Sequence, residues 1–286
     1  MIPPTRCGHV ALAGAPNAGK SSLLNRLIGA HLAIVSPKPQ STRLPIVGLV
    51  TSETTQLVLY DLPGLLDPVY PLHGAMTQLA REALRRAHVI LYLHPATSGL
   101  APPFWPLSGL EVTPKIPVLL VYTKTDLLDP SLHPSTGLCV SALTGAGVPE
   151  LRSAVEAHLP LAPFEYPPDD LGTQPLRLVA AEYVREAAFH LLADELPYAL
   201  AAEVEEFREH TRPLYIRVTL SVERESQKGM VIGRGGRTLK AIGQHARGRL
   251  EALLGQPVYL DCWVKVLPNW RRDAAALARL GFPTQG

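Results

Sequence analysis

The sequence is short of charge, of cysteine and of long apolar runs. Charged side chains make up 18 % of its 286 residues and balance to a formal +2, which excludes an acidic disordered chain and a uniformly polybasic one. Its three cysteines, Cys7, Cys139 and Cys262, are odd in number and far apart. They offer no metal-ligand or disulfide spacing, and buried free thiols are the expectation. No stretch approaches the roughly 18 apolar residues of a membrane span. The start, "MIPPTRCGHVALAG", has neither the charged opening nor the long apolar run of a secretory leader, so a cytoplasmic protein is expected. Hydrophobic residues, at 47 %, are plentiful enough in a chain of this length for two buried cores.

The small net charge hides an uneven distribution. Residues 1–176 sum to −1 and residues 177–286 to +3, while 208–272 alone carry thirteen basic and five acidic side chains. A compact basic segment in a near-neutral protein marks a polyanion site. The first half alternates short apolar strands ("HVALAG", "TQLVLYD", "HVILYLH", "IPVLLVYTK", "GLCVSA") with helical stretches. In "GKSSLLNRLIG", Leu23, Leu24, Leu27 and Ile28 share one face. The pattern predicts an α/β domain with a doubly wound, mainly parallel sheet and ligands at the carboxyl ends of its strands.

"PLAPFEYPPDDLGTQP" is aperiodic and rich in proline and acid, as an interdomain linker is. The expected boundaries are a first domain at 1–162, a linker at 163–175 and a second domain at 176–286. The second domain reads as a helix (176–192), then "YALAAEVEEFREH", whose composition fits helix or strand. A strand "LYIRVTLSV", a helix–glycine turn–helix, a strand "PVYLDCWVKV" and a terminal helix "WRRDAAALARLGF" follow. The loop "PATSGLAPPFWPLSG" reads as flexible and is given no role.

"GAPNAGKS" fits G-X4-G-K-[ST] between a strand and an amphipathic helix. Residues Gly14, Ala15, Pro16, Asn17, Ala18 and Gly19 form a loop whose backbone N–H groups face phosphate oxygens. Lys20 neutralises the outer phosphates and the Ser21 hydroxyl reaches Mg²⁺. The helix that starts here, Ser22 included, turns its positive end to the anion. "DLPG" follows at a strand end. Asp61 holds Mg²⁺ through water, Leu62 and Pro63 turn the chain, and Gly64 donates its N–H to the γ-phosphate. Asp-X-X-Gly alone is a weak signal; its position after the phosphate loop makes it specific.

"TKTD" and "VSALTGAG" complete a base site from Thr123, Lys124, Asp126, Ser141 and Ala142. Asp126 accepts from the N1–H and N2–H₂ edge of guanine, a donor pair that adenine lacks. The stem of Lys124 lies over the purine. Asn is usual at position 123, where it would bond N7 or brace the phosphate loop. Thr123 has a shorter reach, and somewhat weaker binding with guanine preference retained is expected.

"VIGRGGRTLKAIG" is not preceded by a strand, which rules out a dinucleotide fold. It fits the Gly-X-X-Gly turn of a KH domain, which lets a nucleic-acid backbone approach closely. The candidate RNA-binding residues are Lys228, Ile232, Gly233, Arg234, Gly235, Gly236, Arg237 and Lys240, with Leu239 and Ile242 supplying groove and core.

A GTPase domain followed by a type II KH domain resembles the Era family of ribosome-assembly GTPases. The likeness covers nearly the whole chain and rests on "GAPNAGKSSLLNRLIG", "SPKPQSTR", "DLPG", "ADELPY", "SVERESQKGMVIGRGGRTLKAIGQHAR" and "CWVKVLPNWR". The resemblance implies GTP and GDP as ligands and Mg²⁺ held by Ser21, Asp61 and Thr42. It also implies a switch spanning Thr42 and Asp61–Leu65, and a potassium ion at Asn17. It implies binding of the 3′ end of 16S ribosomal RNA, action in 30S subunit maturation, and a monomer. Two departures stand out: Leu62 replaces the family's Thr, and Thr123 its Asn. Leu65 occupies the place of the water-orienting Gln of Ras-like enzymes, so no catalytic side chain is assigned. Slow intrinsic hydrolysis, stimulated by RNA or by the subunit, is expected.

Two other functions fit less of the chain. One is an RNA-binding module with a structural or relaxed-specificity nucleotide site. The other is a signalling GTPase weakly associated with the inner face of the membrane through the terminal helix. His73 and His94 belong to no catalytic constellation and read as structural, and Trp263 and Trp270 read as packing residues.

Overall fold

The computed structural model describes residues 4–36, 38–65, 68–110 and 115–283. The chain divides into two compact units, Met1–Val69 with His73–Thr173, and Tyr70–Leu72 with Gln174–Gly286.

The first unit contains β1 (Arg6–Ala13), α1 (Lys20–Ile28), β2 (Ile46–Thr51), β3 (Thr55–Asp61), α2 (Pro71–Arg86) and β4 (Val89–Pro95). It continues with α3 (Phe104–Ser108), β5 (Val118–Thr123), β6 (Leu138–Cys139) and α4 (Val148–Glu156). Among the described residues, six strands form one sheet in the order β2-β3-β1-β4-β5-β6. β1 is parallel to both β3 and β4, and β2 runs antiparallel to β3. The chain steps to one side of β1 at β3 and to the other at β4. A crevice therefore opens at the carboxyl end of β1.

β1 is apolar and buried from Val10 to Ala13, because both its faces are covered there. Val10 and Leu12 pack with Leu23 and Leu24 of α1 and with Leu151 and Val155 of α4. Ala11 and Ala13 pack with Ala80 and Leu84 of α2 and with Phe104 of α3. Full burial of a leucine such as Leu23 contributes about 2 kcal/mol, and this holds α1 against the sheet directly behind the phosphate loop.

The structure departs from the sequence expectations in several places, three of them in this unit. β2 was not anticipated: "IVGLVT" is a short run without alternation, and its pairing with β3 makes it a strand. The loop given no role contains α3, with the Phe104 ring 5.1 Å from that of Tyr92. Pro103 before it and Gly109 after it, in left-handed backbone, are the boundary residues of a helix. Residues 163–173 are docked rather than free. Phe164 and Tyr166 pack on Cys7, Leu49 and Val58. The fully buried Gln56 accepts from the backbone N–H groups of Glu165 (2.9 Å) and Tyr166 (3.0 Å) and donates to the Tyr166 carbonyl (2.9 Å).

The second unit contains α5 (Leu176–Leu191), α6 (Leu196–Ala199), β7 (Ala201–Arg208), β8 (Leu214–Val222), α7 (Glu225–Ile232), α8 (Arg237–Leu254), β9 (Val258–Val266) and α9 (Ala274–Arg279). Its sheet runs β7-β8-β9, with β7 antiparallel and β9 parallel to β8. The ambiguous "YALAAEVEEFREH" becomes a strand from Ala201 because pairing with β8 outweighs the helix propensity of Ala and Glu. α5 and α8 pack on each other, and the buried Glu186 pairs with Arg249 across them at 2.7 Å. Trp270 is wholly buried and donates its Nε1–H to the Ala199 carbonyl at 2.8 Å. Trp263, expected to pack, is 58 % exposed. Among the described residues no helix is long and apolar enough to cross a membrane.

Candidate functional site

The loop from β1 to α1 borders a cavity of about 320 Å³ at the carboxyl end of the parallel sheet. Its lining includes Pro16, Asn17, Gly19, Lys20, Ser21, Ser22, Thr42, Gly64 and Lys124. The Lys20 Nζ donates to the carbonyls of Gly14 (3.1 Å) and Ala15 (2.9 Å). A Cβ on Gly14 would stand 2.3 Å from the Leu93 carbonyl oxygen, so the turn requires glycine. Ala18 is buried beneath the loop, and Asn17 holds a left-handed φ of 62°.

Ser21, Thr42 and Asp61 are far apart in sequence and meet in space. The Ser21 hydroxyl donates to Asp61 Oδ2 at 2.6 Å and lies 3.0 Å from the Thr42 hydroxyl, which donates to the same Oδ2 at 3.1 Å. Asp61 is fully buried, and its Oδ1 has no hydrogen-bond partner. Burial holds the Lys20 ammonium down at about 8, the nearby Asp61 charge opposing it. Burial likewise pushes Asp61 up to about 6, against the pull of Lys20, Ser21 and Thr42. Both shifts have one cause: each charge is desolvated in a site shaped for a polyanion and a dication. Two hydroxyls and a carboxylate with an orphaned oxygen form a hard oxygen set that fits Mg²⁺.

The segment after Asp61 folds over the loop. Leu62 is wholly buried with Ala11, Ala13 and Leu84, so an apolar side chain suits the position where the resemblance would place Thr. Pro63 is buried, Gly64 touches Pro16, and the Leu65 N–H donates to the Gly14 carbonyl at 3.1 Å.

The base motif sits at the end of β5. Lys124 takes a left-handed φ of 58°, an unfavourable backbone for a side-chain-bearing residue and a frequent mark of ligand sites. The Ser141 hydroxyl donates to Asp126 Oδ1 at 2.6 Å and orients the carboxylate. Ala142 follows Ser141 in the same turn. The Thr123 hydroxyl donates to the Ala18 carbonyl at 2.7 Å. Of the two roles open to position 123, threonine thus performs the bracing of the phosphate loop. Thr123→Val is expected to weaken GDP binding about tenfold by leaving that buried carbonyl unpaired, with Thr123→Ser near wild type. Equilibrium titration with a fluorescent GDP measures both, and equal affinities for Val and Ser variants would dismiss the brace.

The second cluster lies in the other unit. Gly233, Gly235 and Gly236 all hold positive φ, 72°, 62° and 77°, and no atom stands within 4 Å of a Cβ built on Gly235 or Gly236. The turn is therefore open to an approaching backbone. Arg234, Arg237 and Lys240 are exposed beside it, and Lys228 and Ile232 are half-buried on α7. A cavity of about 380 Å³ follows α8, lined by Gly236, Leu239, Lys240, Gly243, Gln244 and Arg247, with Leu260 and Cys262 of β9 opposite. Ile242 belongs to the core. The sequence reading missed Gln244, Arg247, Leu260 and Cys262. The i, i+3, i+4 stripe Gly236–Lys240–Gly243–Arg247 was the signal available for the helix side; no local pattern marks β9. Burial pushes the Cys262 thiol up to about 12, with Asp261 adding to the effect, so it is an inert wall of the groove.

Fold and sites together define a P-loop GTPase joined to a KH domain. A model of the 50S ribosome-binding GTPases matches residues 9–124, and a KH-domain model matches 195–271. GTPase Era of Carboxydothermus hydrogenoformans is 38 % identical over 97 % of this chain and 98 % of its own. GTPase Era of Afipia carboxidovorans is 39 % identical over 99 % and 96 %. An Aquifex aeolicus Era variant crystallised with GDP and aluminium fluoride superposes with a TM-score of 0.91 at 36 % identity, covering 97 % of this chain and 99 % of that one. Era in complex with MgGDPNP and nucleotides 1506–1542 of 16S ribosomal RNA gives 0.90 with the same identity and coverage. The chain belongs to the Era family of GTPases.

Proposed function

We propose that this protein is a GTP-hydrolysing switch that binds the 3′ end of 16S ribosomal RNA and acts in maturation of the small ribosomal subunit. The observation that carries the switch is the convergence of the Ser21 and Thr42 hydroxyls on the buried Asp61 carboxylate, whose other oxygen has no hydrogen-bond partner. Residues 1–162 form the GTPase domain, 163–175 the connector and 176–286 the KH domain. Phosphates are held by the loop from Gly14 to Ser22 and by Gly64, and guanine by Thr123, Lys124, Asp126, Ser141 and Ala142. Mg²⁺ is held through Ser21, Thr42 and Asp61. Asn17, on the cavity wall, is the place for a potassium ion. When bound, Mg²⁺ supplies charge neutralisation of the phosphates; this chain's residues position the nucleotide around it.

The RNA reading is supported by the open glycine turn, the basic side chains beside it and the family's 16S complex. The protein acts in the cytoplasm as a monomer. The membrane alternative drew on the terminal helix, which is six residues long and lends it no support.

Turnover with and without 3′-end RNA tests the switch. Slow hydrolysis accelerated by RNA is expected, because Leu65 cannot orient water. No turnover in either condition would leave an RNA-binding module with a structural nucleotide. For the RNA site, Arg237→Ala with Lys240→Ala is expected to weaken RNA binding at least about tenfold and to lower the salt slope by about 2. GDP affinity is expected to stay unchanged. Anisotropy titrations at several salt concentrations measure both quantities, and an unchanged slope would place the phosphate contacts elsewhere.

A further inference from the structure

We propose that His73 is a positioning residue for GTP hydrolysis, tying the segment before Thr42 to the segment after Gly64 so that the two order together.

His73 stands near the start of α2 and is 5 % exposed. Its ring bridges two loops. The Val69 N–H donates to Nδ1 at 3.4 Å, and Nε2 lies 3.2 Å from Gln40 Oε1. A backbone N–H only donates and an amide oxygen only accepts. The two contacts together require the tautomer protonated on Nε2, which donates to Gln40 while Nδ1 accepts from Val69. One neutral imidazole therefore satisfies both partners at once.

Gln40 holds a left-handed φ of 59°, disfavoured for a residue with a Cβ and maintained only where the surroundings impose it. The imidazole contact is one such constraint. Two residues further on, the Thr42 hydroxyl donates to Asp61, and three residues after Asp61 comes Gly64, against Pro16. The Thr42–Asp61 contact and the Gln40–His73–Val69 contacts thus join the stretch before Thr42 to the stretch leading into α2. Shared contacts of this kind make the two stretches cooperative, each helping to hold the other.

The inference rests on the switch roles proposed for Thr42 and Gly64. In single-turnover assays with Mg²⁺ and GTP, His73→Ala and Gln40→Ala are each expected to slow hydrolysis about five- to tenfold, the worth of one net hydrogen bond. GDP affinity of His73→Ala should be unchanged, because His73 is not among the residues that line the nucleotide cavity. The double variant should be no slower than either single, and His73→Gln, which keeps an N–H donor, should recover much of the rate. Additive losses in the double variant would overturn the proposal, as would equal losses of GDP and GTP affinity or an unchanged rate in Gln40→Ala. Thr42→Ala separates the two layers. If it leaves hydrolysis intact, the switch assignment fails and the His73 role with it. If it abolishes hydrolysis while the His73 and Gln40 variants match wild type, only the His73 role fails.

Discussion

Asp126→Asn is expected to exchange guanine for xanthine preference, lowering GTP affinity about a hundredfold or more while XTP gains. The carboxylate follows the left-handed turn at Lys124 and is held by the Ser141 hydroxyl at 2.6 Å. In the base site proposed above, its acceptors would face the N1–H and N2–H₂ donors of guanine. An asparagine turns one acceptor into a donor, which opposes the guanine amine and suits the carbonyl that xanthine carries in its place. Competition by GTP, XTP, ITP and ATP against a fluorescent guanine nucleotide reads the exchange. A variant that still prefers GTP over XTP would show that the base is read by other groups. Equal competition by ATP in the wild type would overturn guanine selectivity itself, at the site where Thr123 departs from the family's Asn.

Gly64→Ala is expected to slow hydrolysis about a hundredfold or more while GDP affinity stays within about threefold. A Cβ at this position would stand 2.8 Å from the Pro16 nitrogen and 2.9 Å from its Cα. Those are backbone atoms of the phosphate loop, so no rotamer change relieves the contact. The segment must lift away and carry with it the N–H that the proposed switch directs at the γ-phosphate. Loss of one preorganised donor of that kind costs about 10²–10³ in rate. GDP has no γ-phosphate and tolerates the displacement. Single-turnover hydrolysis beside GDP titration separates the effects. Hydrolysis at the wild-type rate would mean that the Gly64 N–H is not part of the transition-state contacts.

Much of this was legible in particular stretches. The phosphate loop, "TKTD" and the glycine turn are each read within a few residues, because backbone geometry and side-chain type at short spacing suffice to define the contact they make. The alternation of apolar runs and amphipathic helices was likewise enough for a parallel sheet, since strands covered on both faces must be apolar throughout. β2 escaped because six residues carry too little periodicity; its identity comes from the β3 edge. α3 escaped because proline and glycine mark both loops and helix ends, and the Tyr92 surface that favours a helix there lies elsewhere in the chain. Trp263 was misread because the face of a strand that stays open is settled by which side the helices cover.

The local sequence specifies which groups can meet a phosphate, a guanine or an RNA backbone, because those groups are set by residue type and short-range spacing. Folding decides which distant residues share a site. The Thr123 hydroxyl reaches the Ala18 carbonyl across 105 positions, Leu260 and Cys262 close the groove opposite α8, and His73 joins Gln40 across 33 positions. Such contacts arise from strand order and helix packing, whose driving burial is nondirectional. No spacing rule in a linear chain encodes them.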